Sequence, residues 1–72
     1  MITVKVCYES SGDPAKNKTV SLGVEELFRT DYELTDSDGE ARFNVEPCAG
    51  RVFVDGSIAF KGYLKERIVV YV

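Results

Sequence analysis

The feature that most constrains this chain is the period of its apolar residues, which is two almost from end to end. Ile2, Val4 and Val6 alternate with Thr3, Lys5 and Cys7, and Val20, Leu22 and Val24 alternate with Thr19, Ser21 and Gly23. Side chains two apart share one face of a strand, so each run predicts a half-buried β-strand with its apolar side inward. Phe28, Thr30, Tyr32 and Leu34 continue the period, as do Ala41, Phe43 and Val45, which end at Pro47, a residue with no N–H for a ladder. Lys65–Val72, KERIVVYV, gives a last strand with Ile68, Val70 and Val72 inward. Only VEELFRT reads two ways. Val24, Leu27 and Phe28 fall at i, i+3 and i+4, enough for one helical turn, but a loop rising into the third strand continues the pattern better.

Turn residues separate these runs. ESSGDPAKNK, Glu9–Lys18, is polar and carries Gly12 and Pro14, which marks a loop. Around Asp55-Gly56 the register has two solutions. A two-residue turn sets Val54 opposite Ser57 and Val52 opposite Ala59. A three-residue loop sets Val54 opposite Ile58 and Val52 opposite Phe60, gathering the large apolar side chains on one face, and is the expected register. Gly62 then suggests a bulge or bend. Seven short strands with turn signals between them predict an all-β protein, a seven-stranded antiparallel Greek-key β-sandwich forming a single domain, residues 1–72. A chain of 72 residues buries only about 60% of the surface of its unfolded form, so modest stability is expected.

The order of these segments resembles a known family. A first strand, a Gly/Pro loop, KTVSL, then TDSDGEARFNVEP and GRVFVDG is similar to the carboxypeptidase regulatory-like, or transthyretin-like (prealbumin-like), small β-sandwich domains. The stretch that carries most of the likeness is Thr35 to Phe43, which fits that family's Thr-Asp-x-x-Gly-x-x-x-Phe pattern. The resemblance implies an accessory module used for spacing, adhesion or ligand contact, and no catalysis. Two departures stand out: Cys48 follows Pro47 where the family often has glycine, and Arg51 or Val52 enters the next strand where it often has an aromatic residue.

Composition rules out several chemistries. There is no histidine, so the hydrolase activity of some transthyretin-like proteins lacks its residues, and a Ser or Cys nucleophile lacks an imidazole base. The self-made isopeptide bond of related collagen-adhesin B-type domains needs a lysine facing Asn or Asp; Lys5 sits on the polar side of its strand, and Arg67–Val72 offers neither partner. No enzyme activity and no cofactor are expected. Nine Lys and Arg against twelve Asp and Glu give a net charge of −3 with the cations scattered, which disfavours nucleic acid. No apolar run reaches the ~20 residues that cross a bilayer, and MITVKVCYES alternates instead of forming a leader's apolar stretch. A cytoplasmic chain with no membrane association is favoured, although a module of a longer secreted protein fits too. Cys7 and Cys48 are the only cysteines; reduced thiols are the expected state, and one disulfide is the other.

TDSDG invites a calcium reading. If Asp38 and Gly39 filled positions 5 and 6 of an EF-hand loop, position 1 would be Leu34 and position 12 Val45, neither of them an oxygen ligand. A weaker site from Asp36, Asp38 and Glu40 would need ligands from elsewhere. The turn reading accounts for every residue: Asp36 opens a type I turn, Ser37 and Asp38 fill it, and Gly39 takes the left-handed position of a G1 bulge, so that the Tyr32/Leu34 side pairs with Ala41/Phe43.

One surface remains. With Val52, Val54, Ile58 and Phe60 inward, Phe53 points outward, as do Val69 and Tyr71, with Tyr63 close by in sequence. These four are the candidate interaction residues. The expected role is a non-enzymatic structural or protein-interaction module that docks a partner chain or a second copy through this face and the C-terminal strand. A carbohydrate-binding module is the alternative, since exposed aromatic rings also stack on sugars.

Overall fold

In the computed structural model, which describes residues 1–25 and 28–72, the chain is all-β, with no helix among the described residues and two sheets. Among the described residues eight strands are formed: β1 (Ile2–Cys7), β2 (Thr19–Val24), β3 (Phe28–Arg29), β4 (Glu33–Leu34), β5 (Glu40–Phe43), β6 (Cys48–Val54), β7 (Ser57–Leu64) and β8 (Arg67–Tyr71). One sheet has the order β5-β1-β8. The other runs β3-β2-β6-β7, with β4 also paired to β2. The period-two runs at both ends of the chain form strands as expected, and the core between the sheets takes their inward residues: Ile2, Val4, Val6, Val20, Leu22, Val52, Ile68 and Val70 are all buried. The helical turn considered across 24–28 involves residues 26 and 27, which lie outside the described residues.

Four expectations need correction. The strands number eight, not seven, because the expected strand from Phe28 to Leu34 breaks into two pieces, β3 and β4, which both lie antiparallel to β2. Phe28, Tyr32 and Leu34 are exposed instead of buried. Their alternation is real, but two-residue strands at the rim of a sheet give it no core to face. The pairing is also not wholly antiparallel. β1 and β8 run parallel, with Val4 opposite Ile68 and Val6 opposite Val70. From β1, the central strand of the three-stranded sheet, the chain passes to the second sheet for β2 to β4, returns for β5, crosses again for β6 and β7, and comes back in β8 beside β1 and in the same direction. Lastly, Val72 is half exposed, one residue past the end of β8.

The Asp36–Gly39 turn has the expected local form but a different job. The Gly39 amide donates to the Asp36 carbonyl at 2.9 Å, Gly39 has a φ of 75°, and the Asp36 amide donates to the Glu40 carbonyl at 3.0 Å. Yet β4 pairs with β2 while β5 pairs with β1, so the turn carries the chain from one sheet to the other instead of closing a hairpin. Thr35 anchors that crossing. Its buried hydroxyl donates to the Ala15 carbonyl at 2.6 Å and accepts from the Lys18 amide at 2.9 Å, tying the long loop to the corner. The Gly39 carbonyl accepts from Val6 at 2.7 Å, and a Cβ at Gly39 would stand 2.5 Å from the Val6 carbonyl oxygen. Only glycine fits so close to β1.

Candidate functional site

The structure separates the four candidate residues into two pairs. Phe53 lies on β6 beside Ser21 of β2, and Tyr63 lies on β7 beside Ala49; both are on the outer face of the five-stranded sheet, since Val52, Val54 and Leu64 between them are buried. Val69 and Tyr71 lie on β8, opposite Lys5 and Cys7, on the outer face of the three-stranded sheet, because Ile68 and Val70 turn inward. Sequence alternation gives the outward direction of Phe53, Val69 and Tyr71, and places Tyr63 only by its nearness in sequence. It carried no information on which sheet each strand would join, so one shared face was an over-reading.

The hairpin between β6 and β7 decides a further residue. Asp55 and Gly56 have φ of 51° and 85°, and both central residues positive is the mark of a type I′ turn. Val54 therefore faces Ser57, as the two-residue option requires. The register then shifts between Val52 and Phe53, pairing Phe53 with Ile58 and Val52 with Phe60. The bulge absorbs Ala59 and restores the expected Val52–Phe60 pair, while Ile58 turns outward. At 59% exposed, Ile58 belongs to the surface, not to the core where sequence placed it. The backbone preference of Asp-Gly outweighs burial of one isoleucine. Asp55 reinforces the turn: its Oδ1 accepts from the Thr19 amide at 3.2 Å and from the Thr19 hydroxyl at 3.1 Å, and Lys18 Nζ is 3.5 Å from Oδ2. Those bonds, the Thr19 amide above all, hold its carboxyl below the ordinary aspartate range.

Ile58 thereby meets the C-terminal strand. A cavity of about 340 Å³ opens between the start of β7 and the end of β8, with Ile58, Ala59, Tyr71 and Val72 among its walls and Lys18 and Asp55 at its polar side. Ile58, Tyr71 and Val72 are all exposed. Among the described residues both flanking strands are sheet edges, since β7 pairs there only with β6 and β8 only with β1. On β8 the Val72 amide donates to the Cys7 carbonyl and the Glu66 carbonyl accepts from the Thr3 amide, so even-numbered residues address β1. By the alternation of a strand, the amides and carbonyls of Val69 and Tyr71 address the open side.

The acidic turn is spoken for by its own backbone. Asp36 Oδ1 accepts from the Asp38 amide at 2.9 Å and the Glu40 amide at 3.0 Å, and Arg42 lies 3.4 Å from Oδ2. The Glu40 amide contributes most to lowering the Asp36 pKa, with Asp38 and Arg42 adding to it. No group of three or more potential metal-ligating side chains occurs among the described residues. Glu40 is instead bridged by Arg42 at 2.9 Å and Arg67 at 2.7 Å. Both cysteines are free thiols, Cys7 buried and Cys48 half-buried.

No family model matches the chain, and neither the curated proteins nor the solved structures include a significant match to it.

Proposed function

We propose that the chain is a non-enzymatic interaction module that associates with a second copy of itself through the open edge of β8. The observation that carries this reading is the coincidence of an unpaired strand edge bearing exposed Val69 and Tyr71 with a cavity beside it walled by Ile58, Tyr71 and Val72. An edge strand offers free N–H and C=O groups, and natural proteins usually blunt it with charge, proline or a bulge. Ile68 to Tyr71 contains none of these. A second copy added antiparallel, with Val69 opposite Val69, sets Arg67 across from Tyr71 on the outer face and Ile68 across from Val70 on the core side. Cation faces ring and aliphatic faces aliphatic, so one register satisfies both sides.

The prealbumin-like, Greek-key assignment belongs to the same proposal. It rests on the residues of the TDSDGEARF stretch, and the all-β, two-sheet arrangement supports only its coarser part, a β-sandwich. Absence of histidine supports a role without catalysis. The carbohydrate alternative gains little from the geometry, since Tyr63 and Tyr71 lie on different sheets and do not make one stacking platform. The test is the mass of the chain in solution by sedimentation across a concentration series. A dimer that Tyr71→Lys converts to monomer supports the reading, and a wild-type monomer at high concentration removes it.

A further inference from the structure

The outer face of the five-stranded sheet carries a row of side chains that the fold itself does not call for. Arg29 on β3 is the register partner of Gly23 on β2, Gly23 is that of Arg51 on β6, and Arg51 is that of Lys61 on β7. One line across four strands therefore reads Arg, Gly, Arg, Lys. Like charges set directly opposite each other weaken a sheet, and Arg51 with Lys61 is such a pair. Every ion pair among the described residues uses Lys18, Arg42 or Arg67. Arg29, Arg51 and Lys61 have no carboxylate partner there, in a chain with twelve acidic residues and nine basic ones.

The arginines are held in place. Gly23 leaves a bare floor, and a Cβ there would stand 3.0 Å from Arg51 Nε and 3.1 Å from both Arg51 Nη2 and Phe53 Cε2. Arg51 thus lies flat across the glycine, with Nη2 donating to the Glu25 carbonyl at 3.3 Å. Its Nε is buried and has no acceptor. Arg29 donates from Nε to Ser21 Oγ at 3.0 Å, and its guanidinium carbon sits 3.7 Å from the centroid of Phe53; that of Arg51 is 5.8 Å from the same centroid. One ring props two cations. Beside Arg51 and Lys61 the surface dips into a cavity of about 190 Å³, lined also by Glu25, Ala49 and Gly62.

We infer that this row binds a short, extended acidic segment of another protein, with carboxylates over Arg29 and over the Arg51–Lys61 pair. The span fits. Four strands at about 4.8 Å spacing cover ~14 Å, the length of four to five extended residues at about 3.3 Å each. Exposed Tyr63 and half-buried Phe53 flank the row for apolar residues of the same segment. A long polyanion suits it less well, since three cations on a chain of net charge −3 offer a nucleic acid little counterion release. The site lies on the other sheet from Val69 and Tyr71 and does not depend on self-association.

The experiment is fluorescence anisotropy at low ionic strength with a fluorescein-labelled peptide alternating Asp and Tyr. An Asn-for-Asp peptide and a single-stranded oligonucleotide of equal charge serve as comparisons. The acidic peptide should bind below about 1 mM, weaken with added salt, and lose about tenfold in affinity with Arg51→Gln and with Lys61→Gln. Glu25→Gln, which removes the carboxylate at the cavity wall, should tighten binding, and Arg42→Gln on the other sheet should leave it unchanged. Equal binding of the Asn peptide, tighter binding of the oligonucleotide, absence of binding at that concentration, or indifference to both Arg51→Gln and Lys61→Gln in folded protein would overturn the inference.

Discussion

Arg51 and Lys61 face each other in direct register across β6 and β7 on the outer side of the five-stranded sheet. A sheet selected for stability alone would place opposite charges there. Lys61→Glu should therefore stabilise the free protein, by about 0.2–1 kcal/mol from the new cross-strand pair plus the relieved repulsion, while abolishing capture of an acidic peptide. Urea unfolding and anisotropy on the same variant read both effects. Loss of stability in Lys61→Glu would mean that the two cations are not in conflict.

Thr35 is the polar centre of the sheet-to-sheet crossing. Thr35→Val keeps the shape and removes the hydroxyl, leaving the Ala15 carbonyl and the Lys18 amide without their partner. A loss of about 1–3 kcal/mol is expected, measured as a lower denaturation midpoint. A variant as stable as wild type would show that water replaces the hydroxyl at no cost.

Acid stability follows from Asp36 and Asp55. Both carboxyls titrate below the ordinary aspartate value in the folded chain, chiefly through the Glu40 amide for Asp36 and the Thr19 amide for Asp55. Above the unfolded value both states are ionised and the contribution is complete. As pH falls below it the unfolded chain takes up protons first, and the contribution is lost as the folded carboxyls protonate in turn. The urea midpoint should stay level from neutral pH to about 5 and then decline, with a shallower decline in the Asp36→Asn/Asp55→Asn double variant. Identical acid profiles would remove both residues from the account.

Calcium should not matter to this turn. Asp36 already accepts two backbone amides and lies beside Arg42, so a cation would have to displace bonds the turn requires. The melting temperature is expected to be the same with millimolar calcium and with chelator. An upward shift that Asp36→Asn abolishes would reinstate the site.

The alternation of apolar residues made the all-β class, both terminal strands and most of the core legible in the sequence, because period two records the inward and outward sense of each side chain. Sheet membership is a long-range property and leaves no such trace. Phe53 and Tyr71 therefore read as neighbours although they belong to different sheets. Ile58 was misplaced because a local preference, the left-handed pair Asp55-Gly56, prevailed over its burial and passed the mismatch to a bulge. Leu34 and Tyr32 alternate as Val4 does, but Leu34 ends a two-residue strand and Tyr32 lies between β3 and β4, so neither has a core to face. The cationic row was harder still. Arg29, Gly23, Arg51 and Lys61 are scattered in sequence, and only the register of four strands aligns them. An isolated glycine in the second strand was the one local hint of a close approach.

Backbone amide exchange at Val69 and Tyr71 distinguishes a β8 edge that pairs with a second copy from one that stays open. Their N–H groups point away from β1, whereas those of Ile68 and Val70 belong to the ladder with β1. The account predicts that Val69 and Tyr71 exchange fast in dilute protein and become protected as concentration rises, with the mass increasing from 8.0 kDa to twice that value. Exchange at both amides that stays fast and independent of concentration, in a chain that remains monomeric, would contradict it.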